Sequence, residues 1–316
     1  MAVLWLSAAL AAIAFSLANT VRGETERAST AVDGLRSYYL AAASVERAIL
    51  YMDWGRKHPD NALYKAAGTS YSFQFPTGQA VVEVIPETAK LNINTSPPED
   101  LFRLLVNLGV EAGRSQAIVA AIMDWRGTVG GAAGPGAAVQ TPLAQALGPQ
   151  HLPFAEVEEL LAVGGVTPDI YYGSWEHAPE GSPQRLYQRT GLRDCVSVFG
   201  ATDQFDVNTS PPAVLAAAGV PPEGVAVLVQ QRRVRAFITP ADLAPFAAVA
   251  GAGFTRLRIG GKSIFTLRAT GRLRLPNGQL SDLRRTVAAQ VKLMPPGYDA
   301  SYHILRWYDN ATAPEL

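Results

Sequence analysis

Cysteine, histidine and net charge are all scarce in this sequence, and each scarcity excludes a class of function. The single cysteine, Cys195, excludes an intrachain disulfide framework and a cysteine-rich zinc site. The four histidines lie too far apart for metal-ligand spacing: His58, His151, His177 and His303. Because 27 Lys and Arg balance 27 Asp and Glu, the chain also lacks the basic excess typical of proteins that hold polyphosphate.

The first segment of the chain contains neither charge nor proline. Residues 2–18, AVLWLSAALAAIAFSLA, are uncharged, and the first proline is Pro59. This apolar run lies at the short end of the roughly 17–25 residues that span a bilayer. A cleaved secretory signal would need a basic stretch before the apolar one, and none is present. We therefore expect a retained helix from residue 2 to about residue 54, on the order of 80 Å long.

The alternative to one long helix is two helices with a break near Gly23. A glycine inside a helix costs only about 1 kcal/mol, so the residue does not decide between them. The second half of the predicted helix is amphipathic, because apolar residues recur at steps of three and four. They are Leu35, Tyr38, Ala42, Val45, Ile49 and Met52. The charged residues predicted to lie outside this stripe are Arg36, Glu46, Arg47 and Asp53. The first half suits lipid or a bundle of helices, and the second suits packing on a globular domain.

Two β-hairpins are predicted, one on each side of a long helical region. Residues 71–75 alternate between aromatic and polar side chains, and residues 80–86 follow a Pro-Thr-Gly turn as a second strand. Residues 263–275 and 284–294 form the other hairpin across a Pro-Asn-Gly turn, since Asn-Gly between alternating runs is a strong hairpin signal.

Between the hairpins, proline and glycine bound a series of short predicted helices. We expect them at residues 97–108, 112–126, 154–163, 211–218, 224–233 and 240–246. The Gly/Ala-rich run at residues 127–139 is predicted to be a surface loop. The fold class is therefore α+β: a long N-terminal helix packed on a small antiparallel sheet, with a large inserted α-helical domain. The predicted divisions are 1–55 (helix), 56–86 (first part of the sheet domain), 87–261 (inserted domain) and 262–316 (second part and C-terminal tail).

The inserted region contains an internal repeat. LNINTSPP at residues 91–98 recurs as FDVNTSPP at residues 205–212. In the first copy we expect Ser96 to cap a helix, with Glu99 completing a capping box. The second copy has Ala213 where the glutamate would be. The asparagines of both copies are expected to order the preceding turn through side-chain bonds to the backbone.

Each copy leads into a helix, and the first continues through a Leu-Gly-Val corner at residues 108–110 into another helix. Residues 154–166, FAEVEELLAVGGV, end in a similar corner. These units resemble helix-hairpin-helix modules, which hold DNA phosphates on backbone N–H groups. The corners carry few basic residues, so we interpret the units as packing elements and predict no nucleic-acid partner. A membrane-anchored DNA-binding protein is the alternative function.

Several of these segments together resemble one family. The apolar N-terminal helix is followed by LNINTSPPEDLFRLL, by AIMDWR at residues 121–126, by PFAEVEELLAVGGV and by C-terminal strands. In this order they are similar to the K-type minor pseudopilins of type II secretion systems. The resemblance covers most of the chain. Its fairly specific elements are the Asn-x-Asn-Thr run and the Asp124-Trp125 pair.

The resemblance implies a pilin-like body and a non-enzymatic role. It places the protein in the cell inner membrane as a single-pass protein with its globular part in the periplasm. There it would stand at the tip of the pseudopilus with the I-type and J-type minor pseudopilins, initiate assembly and support export of folded proteins. Family precursors carry a short basic leader ending in Gly, whereas this sequence starts inside the apolar helix. Either the start codon is placed too late or the upstream residues are lost, so no residue here is assigned as the cleavage site. A basic leader ending in Gly, encoded in frame just upstream, would support the family.

Calcium is named as a cofactor by the resemblance alone, because some family members are similar to calcium-binding proteins. Calcium takes about six to eight oxygen ligands, several of them usually carboxylates. Residues 127–132, where the family commonly has an acidic stretch, contain none. We therefore name no metal ligand, no cofactor-binding residue and no catalytic residue. An enzyme built on Cys195 is the competing class, but no histidine lies nearby in sequence to activate the thiol.

Overall fold

One uninterrupted helix, α1 (Ala2–Lys57), begins the chain in the computed structural model. The structure describes residues 1–66, 69–127, 151–177, 186–200 and 203–311. At about 1.5 Å per residue, the 56 residues of α1 are about 84 Å long. The helix runs through Gly23 without a break, so the prediction of one long helix is confirmed and the alternative of two helices is wrong.

After α1, the described chain forms β-strands and further α-helices. The strands are β1 (Ser70–Phe75), β2 (Gly78–Pro86), β3 (Leu91–Asn92), β4 (Trp175–His177), β5 (Leu186–Gln188), β6 (Val196–Ser197), β7 (Phe205–Asp206), β8 (Leu257–Arg258), β9 (Ile264–Arg274), β10 (Leu280–Leu293) and β11 (Tyr302–Tyr308). The α-helices are α2 (Pro98–Asn107), α3 (Ala112–Trp125), α4 (Pro168–Tyr172), α5 (Leu192–Cys195), α6 (Pro212–Ala217), α7 (Pro222–Val234), α8 (Pro240–Leu243) and α9 (Ala247–Ala250).

A five-stranded antiparallel sheet, in the order β1-β2-β9-β10-β11, supports the second half of α1. Both predicted hairpins, β1–β2 and β9–β10, are confirmed. The edge strand β11 was not predicted, because the adjacent apolar residues Ile304 and Leu305 break the alternation that marks a half-buried strand. A register shift opposite Gln290 and Val291 accompanies that irregular run.

The inserted region joins two neighbouring strands of this sheet. β2 ends at Pro86 and pairs along its length with β9, which begins at Ile264. The chain therefore leaves the sheet after Pro86 and returns beside the strand that it left. Two apolar cores lie in the intervening segment, one built around α2 and α3 and the other around α6 and α7. The limits predicted for the four divisions of the chain stay a prediction.

Most predicted helices of the inserted region agree with the structure to within two residues, as α2, α3, α6 and α7 show. The helix predicted at 154–163 is wrong in type, because Val157–Ala162 is a 3₁₀-helix. The capping box predicted at Ser96 does not form: the residue before α2 is Pro97, which has no side-chain cap. Gly127 is the only residue of the predicted 127–139 loop inside the described ranges.

The buried face of α1 is rotated by about one position from the predicted stripe. The helix residues buried by the sheet are Gly34, Ser37, Leu40, Ala41, Ser44, Val45, Ala48, Ile49 and Asp53. Leu35 is instead 55% exposed, and Asp53, predicted to lie outside the stripe, is buried. The reason is that small residues, rather than the largest apolar ones, let the helix approach the sheet. A Cβ at Gly271 of β9 would lie only 2.5 Å from the Ser37 carbonyl oxygen.

We expect Gly271→Ala to lower the free energy of unfolding by about 1–3 kcal/mol, since the added methyl group must push α1 away from β9. The matched control is Gly164→Ala, where an added Cβ meets nothing within 4 Å. Urea unfolding of the detergent-solubilised full chain, followed by tryptophan fluorescence, measures both changes. Equal losses of stability in the two variants would contradict the close helix–sheet contact.

Candidate membrane and assembly surfaces

The apolar first third of α1 contacts no other part of the described chain. All residues from 2 to 18 are exposed, and Trp5 is 75% exposed. This part of α1 is long and apolar enough to cross a membrane. Burial of apolar surface stabilises a protein by about 25 cal/mol for each Å² removed from water. The segment lacks this stabilisation within its own chain, so it needs lipid or other helices around it.

The internal repeat folds twice into the same local structure. Each copy begins with a two-residue strand in a parallel pair, β3 with β6 and β7 with β8. Each then enters two helices joined at a glycine with positive φ, Gly109 (73°) between α2 and α3 and Gly219 (94°) between α6 and α7. In the second copy α6 is four residues shorter than α2 (six residues against ten).

The asparagine that directly precedes the Thr-Ser-Pro-Pro run of each repeat holds a distant backbone segment. The Asn94 amide donates to the Phe154 carbonyl (2.9 Å) and accepts from the Phe154 N–H (2.8 Å). Asn208 makes the same two bonds with Phe237, at 2.8 and 2.9 Å. The first asparagine, Asn92, orders the turn as predicted by accepting from the backbone N–H of Asn94 and of Thr95.

An arginine at the end of the second helix closes each unit. Arg126 donates to the carbonyl oxygens of Ile93 (2.8 Å) and Ser96 (3.1 Å). Arg232 donates to those of Val207 (2.9 Å) and Ser210 (2.7 Å). Desolvation by burial lowers the pKa of both guanidinium groups. Sequence reasoning missed this role, although Arg126 directly follows the Asp-Trp pair that carried the family resemblance.

The Asp-Trp-Arg run therefore stabilises the first repeat. The Trp125 ring stacks on Phe154, with ring centroids 5.6 Å apart and an interplanar angle of 9°. Phe154 is the residue that Asn94 holds, so the two contacts lock the same backbone segment. The Asp124 carbonyl accepts from Gly127 N–H, which ends the helix.

Ionic contacts tie the units to one another and to the sheet. Asp100 of the first repeat forms a two-point pair with Arg256, at 3.0 and 2.6 Å, close to the second repeat. Glu87, which is 1% exposed, accepts from Lys90 at 3.1 Å and from the Thr266 hydroxyl of β9 at 2.5 Å. Glu87 also accepts from Ser197, the second residue of β6. Glu87 thus joins the sheet to the inserted region, a role that its sequence context did not signal.

Both helix corners have fewer N–H groups available to an anion than a helix start normally offers. The Glu111 carboxylate accepts the N–H groups of Gly113 (2.8 Å) and Arg114 (2.9 Å) at the start of α3. These two bonds hold the pKa of the Glu111 carboxyl below its usual value. At the second corner, Pro221 and Pro222 have no N–H to donate. Phosphate binding of the helix-hairpin-helix kind would therefore find two N–H donors occupied at the first corner and two positions without an N–H at the second.

The thiol of Cys195 is buried within the core of the first repeat. Burial raises its pKa well above the usual range, so the thiol is protonated at neutral pH, whereas a nucleophile needs the thiolate.

Within the described ranges, no group of three His, Cys, Asp or Glu side chains could hold a metal ion. The stretch where calcium ligands were not expected, residues 127–132, lies outside those ranges except for Gly127.

Residues 82–173 match a family model described as Type II secretion system (T2SS), protein K. The fold is similar to one chain in the crystal structure of the GspK-GspI-GspJ complex from the enterotoxigenic Escherichia coli Type 2 Secretion System. The match covers 93% of this chain and 100% of that chain, with a TM-score of 0.53 and 16% sequence identity. No curated protein sequence matches the chain. The resemblance to K-type minor pseudopilins is confirmed for residues 82–173 and, as a fold, for most of the chain.

We expect Asn94→Ala and Asn208→Ala each to lower the free energy of unfolding by about 1–3 kcal/mol. Each substitution leaves a backbone N–H and a carbonyl without their hydrogen-bond partner. Asn107→Ala is the control, because that exposed amide makes one local bond to the Arg103 carbonyl, and we expect a change within about 0.5 kcal/mol. Urea unfolding of the full chain tests all three. A loss in Asn107→Ala as large as in the other two would contradict the closing role.

Proposed function

We propose that this chain is a non-enzymatic K-type minor pseudopilin that is anchored in the inner membrane by α1. Its globular part lies in the periplasm. It assembles with the I-type and J-type minor pseudopilins at the tip of the type II pseudopilus, initiates assembly of the filament and supports export of folded proteins. The observation that carries the proposal is a single helix whose first third is bare and apolar and whose second half packs on a sheet.

The bare, apolar first third of α1 suits two environments in turn. Before assembly, lipid covers residues 2–18. In an assembled bundle, neighbouring helices cover the same surface, so packing contacts replace lipid contacts. A helix that can exchange these surroundings is what a subunit needs in order to pass from the membrane into a filament. The GspK-GspI-GspJ complex, to which the fold is similar, supports the choice of I-type and J-type partners.

The inserted region supports the position at the tip. It is held on the sheet by Glu87 and by the pairing of Arg306 in β11 with Glu156. A bulky unit fixed in this way would obstruct another subunit stacking above it, which suits a cap. The catalytic alternative has no support from Cys195, whose thiol is buried and protonated.

The membrane anchor is tested with the double variant Leu6→Arg and Leu10→Arg, expressed from the native locus. Each arginine at the centre of a membrane span costs about 2.5–3.5 kcal/mol on insertion scales. We expect the wild-type chain in the carbonate-resistant membrane fraction and the double variant largely outside it. Thr25→Arg with Thr30→Arg is the matched control, because both threonines are exposed on the polar part of the same helix. Equal membrane retention of all three proteins would refute the anchor.

The assembly role is tested in a strain that lacks its own K-type subunit. We expect the wild-type chain to restore export and to co-purify with the I-type and J-type subunits from detergent. Cys195→Ser should do both equally well, because the thiol takes no part in the role. Loss of export in a folded Cys195→Ser protein would favour an enzyme, and a wild-type chain that binds neither partner would refute the proposal.

A further inference from the structure

Three exposed arginines lie at one end of the sheet. Arg274 ends β9, and Arg284 and Arg285 lie on β10 beyond the Leu275–Gly278 turn. All three are exposed. Among the residues that the structure describes, no carboxylate lies within 4.0 Å of any of the three, while neighbouring Arg272 is 3.6 Å from Asp282. Within the described ranges, the Arg274 side chain donates to neutral oxygens, those of Gly278 (2.9 Å) and Gln74 (3.1 Å).

This arginine end is the end of the body nearest the apolar part of α1. β9 runs antiparallel to α1, since Leu267 and Ala269 pack in one core with Val45 and Ile49, whereas Leu273 packs with Leu40. The turn after β9 therefore points back toward the start of the helix.

Arg285 confirms that position. A Cβ on Gly34, the first buried residue of α1, would lie 3.3 Å from Arg285 Nη2. Between the end of the apolar run at Ala18 and Gly34 the helix is bare for about 24 Å at 1.5 Å per residue. Span helices tilt by up to about 40°, which lowers the arginine end toward the headgroup layer.

The chemistry of this end fits a phosphate-bearing surface. Guanidinium groups bind phosphate oxygens through two parallel hydrogen bonds and are more weakly hydrated than ammonium groups. The turn beside them exposes an apolar side chain, Leu275, which is 41% exposed. Farther from the turn on β9, Arg268 is already paired, since its Nε lies 2.5 Å from a Glu83 carboxylate oxygen. Arg274, Arg284 and Arg285 have no such carboxylate partner among the described residues, so their positive charge is available to a ligand.

We propose that the arginine end, Arg274, Arg284 and Arg285, docks on anionic lipid headgroups of the membrane that holds α1. The proposal rests on the membrane anchor of the proposed function. Docking keeps the globular part of the unassembled subunit tilted against the bilayer. This contact must be released before the subunit enters a filament with the globular part away from the membrane. Basic side chains near an anionic surface each strengthen attachment about fivefold, and salt screens the attraction.

The test uses the full chain with Gln279→Cys, labelled with a fluorophore beside the turn. Cys195 is buried and stays unlabelled in the folded protein. The protein is reconstituted into vesicles of phosphatidylcholine with or without 30% phosphatidylglycerol (about one lipid in three) and a headgroup nitroxide quencher. We expect at least about twofold stronger quenching with phosphatidylglycerol, lost in about 0.5 M salt.

Arg274→Gln, Arg284→Gln and Arg285→Gln together should reduce quenching to the phosphatidylcholine level. Arg284→Gln alone, at an exposed residue without an ion pair, should reduce it in part and guards against misfolding of the triple variant. The control is Arg233→Gln, Arg235→Gln and Lys262→Gln, which removes three other exposed charges and should change nothing.

The outcomes separate the two proposals. Flotation of the protein with vesicles, but with equal quenching in both lipids or in the triple variant, overturns the docking and leaves the anchor standing. A wild-type chain that does not float with vesicles overturns the anchor itself. If the triple variant loses binding to the I-type and J-type subunits while its quenching is unchanged, the arginines serve a protein partner and the lipid proposal is wrong.

Discussion

The apolar surface of residues 2–18 has no partner within the described chain, and this lack determines much of what the protein can be. A soluble monomer would leave that surface in water, against the hydrophobic effect. The remainder of α1 is built differently, with small residues that bring its backbone close to the sheet at Gly271. One helix thus combines a stretch that requires other molecules with a stretch that is completed by its own chain.

The sequence predicted the elements whose signal is periodic and local. The long helix, the two hairpins and the repeat were recovered because apolar spacing, turn residues and a repeated motif lie close together in sequence. The orientation of α1 was wrong by about one position, because the stripe was drawn through Leu35 and Tyr38 rather than through the smaller Gly34 and Ser37. Hydrophobic size alone does not show which face can approach a sheet most closely.

The contacts that assemble the inserted region could not be predicted, because each joins residues far apart in sequence. Asn94 and Asn208 were predicted to order turns, but their hydrogen bonds to the backbone of Phe154 and Phe237 were not predicted. Glu87 gave no signal at all, since its buried bond with Thr266 depends on the chain returning to the sheet. The same two bonds occur in both repeats, which indicates that they belong to the repeated unit and are not particular to one copy.

In each repeat, the bonds of one asparagine and one arginine fix both ends of the connection that follows the second helix. This has a consequence for how the length of that connection can vary. In the second unit four residues, 233–236, connect Arg232 to Phe237, whereas 27 residues, 127–153, connect Arg126 to Phe154 in the first. Both ends of the connection are fastened to the same carbonyls and the same asparagine, whatever its length. Since closing a longer loop costs only slightly more entropy, this connection is free to lengthen and diversify while the unit around it keeps its shape.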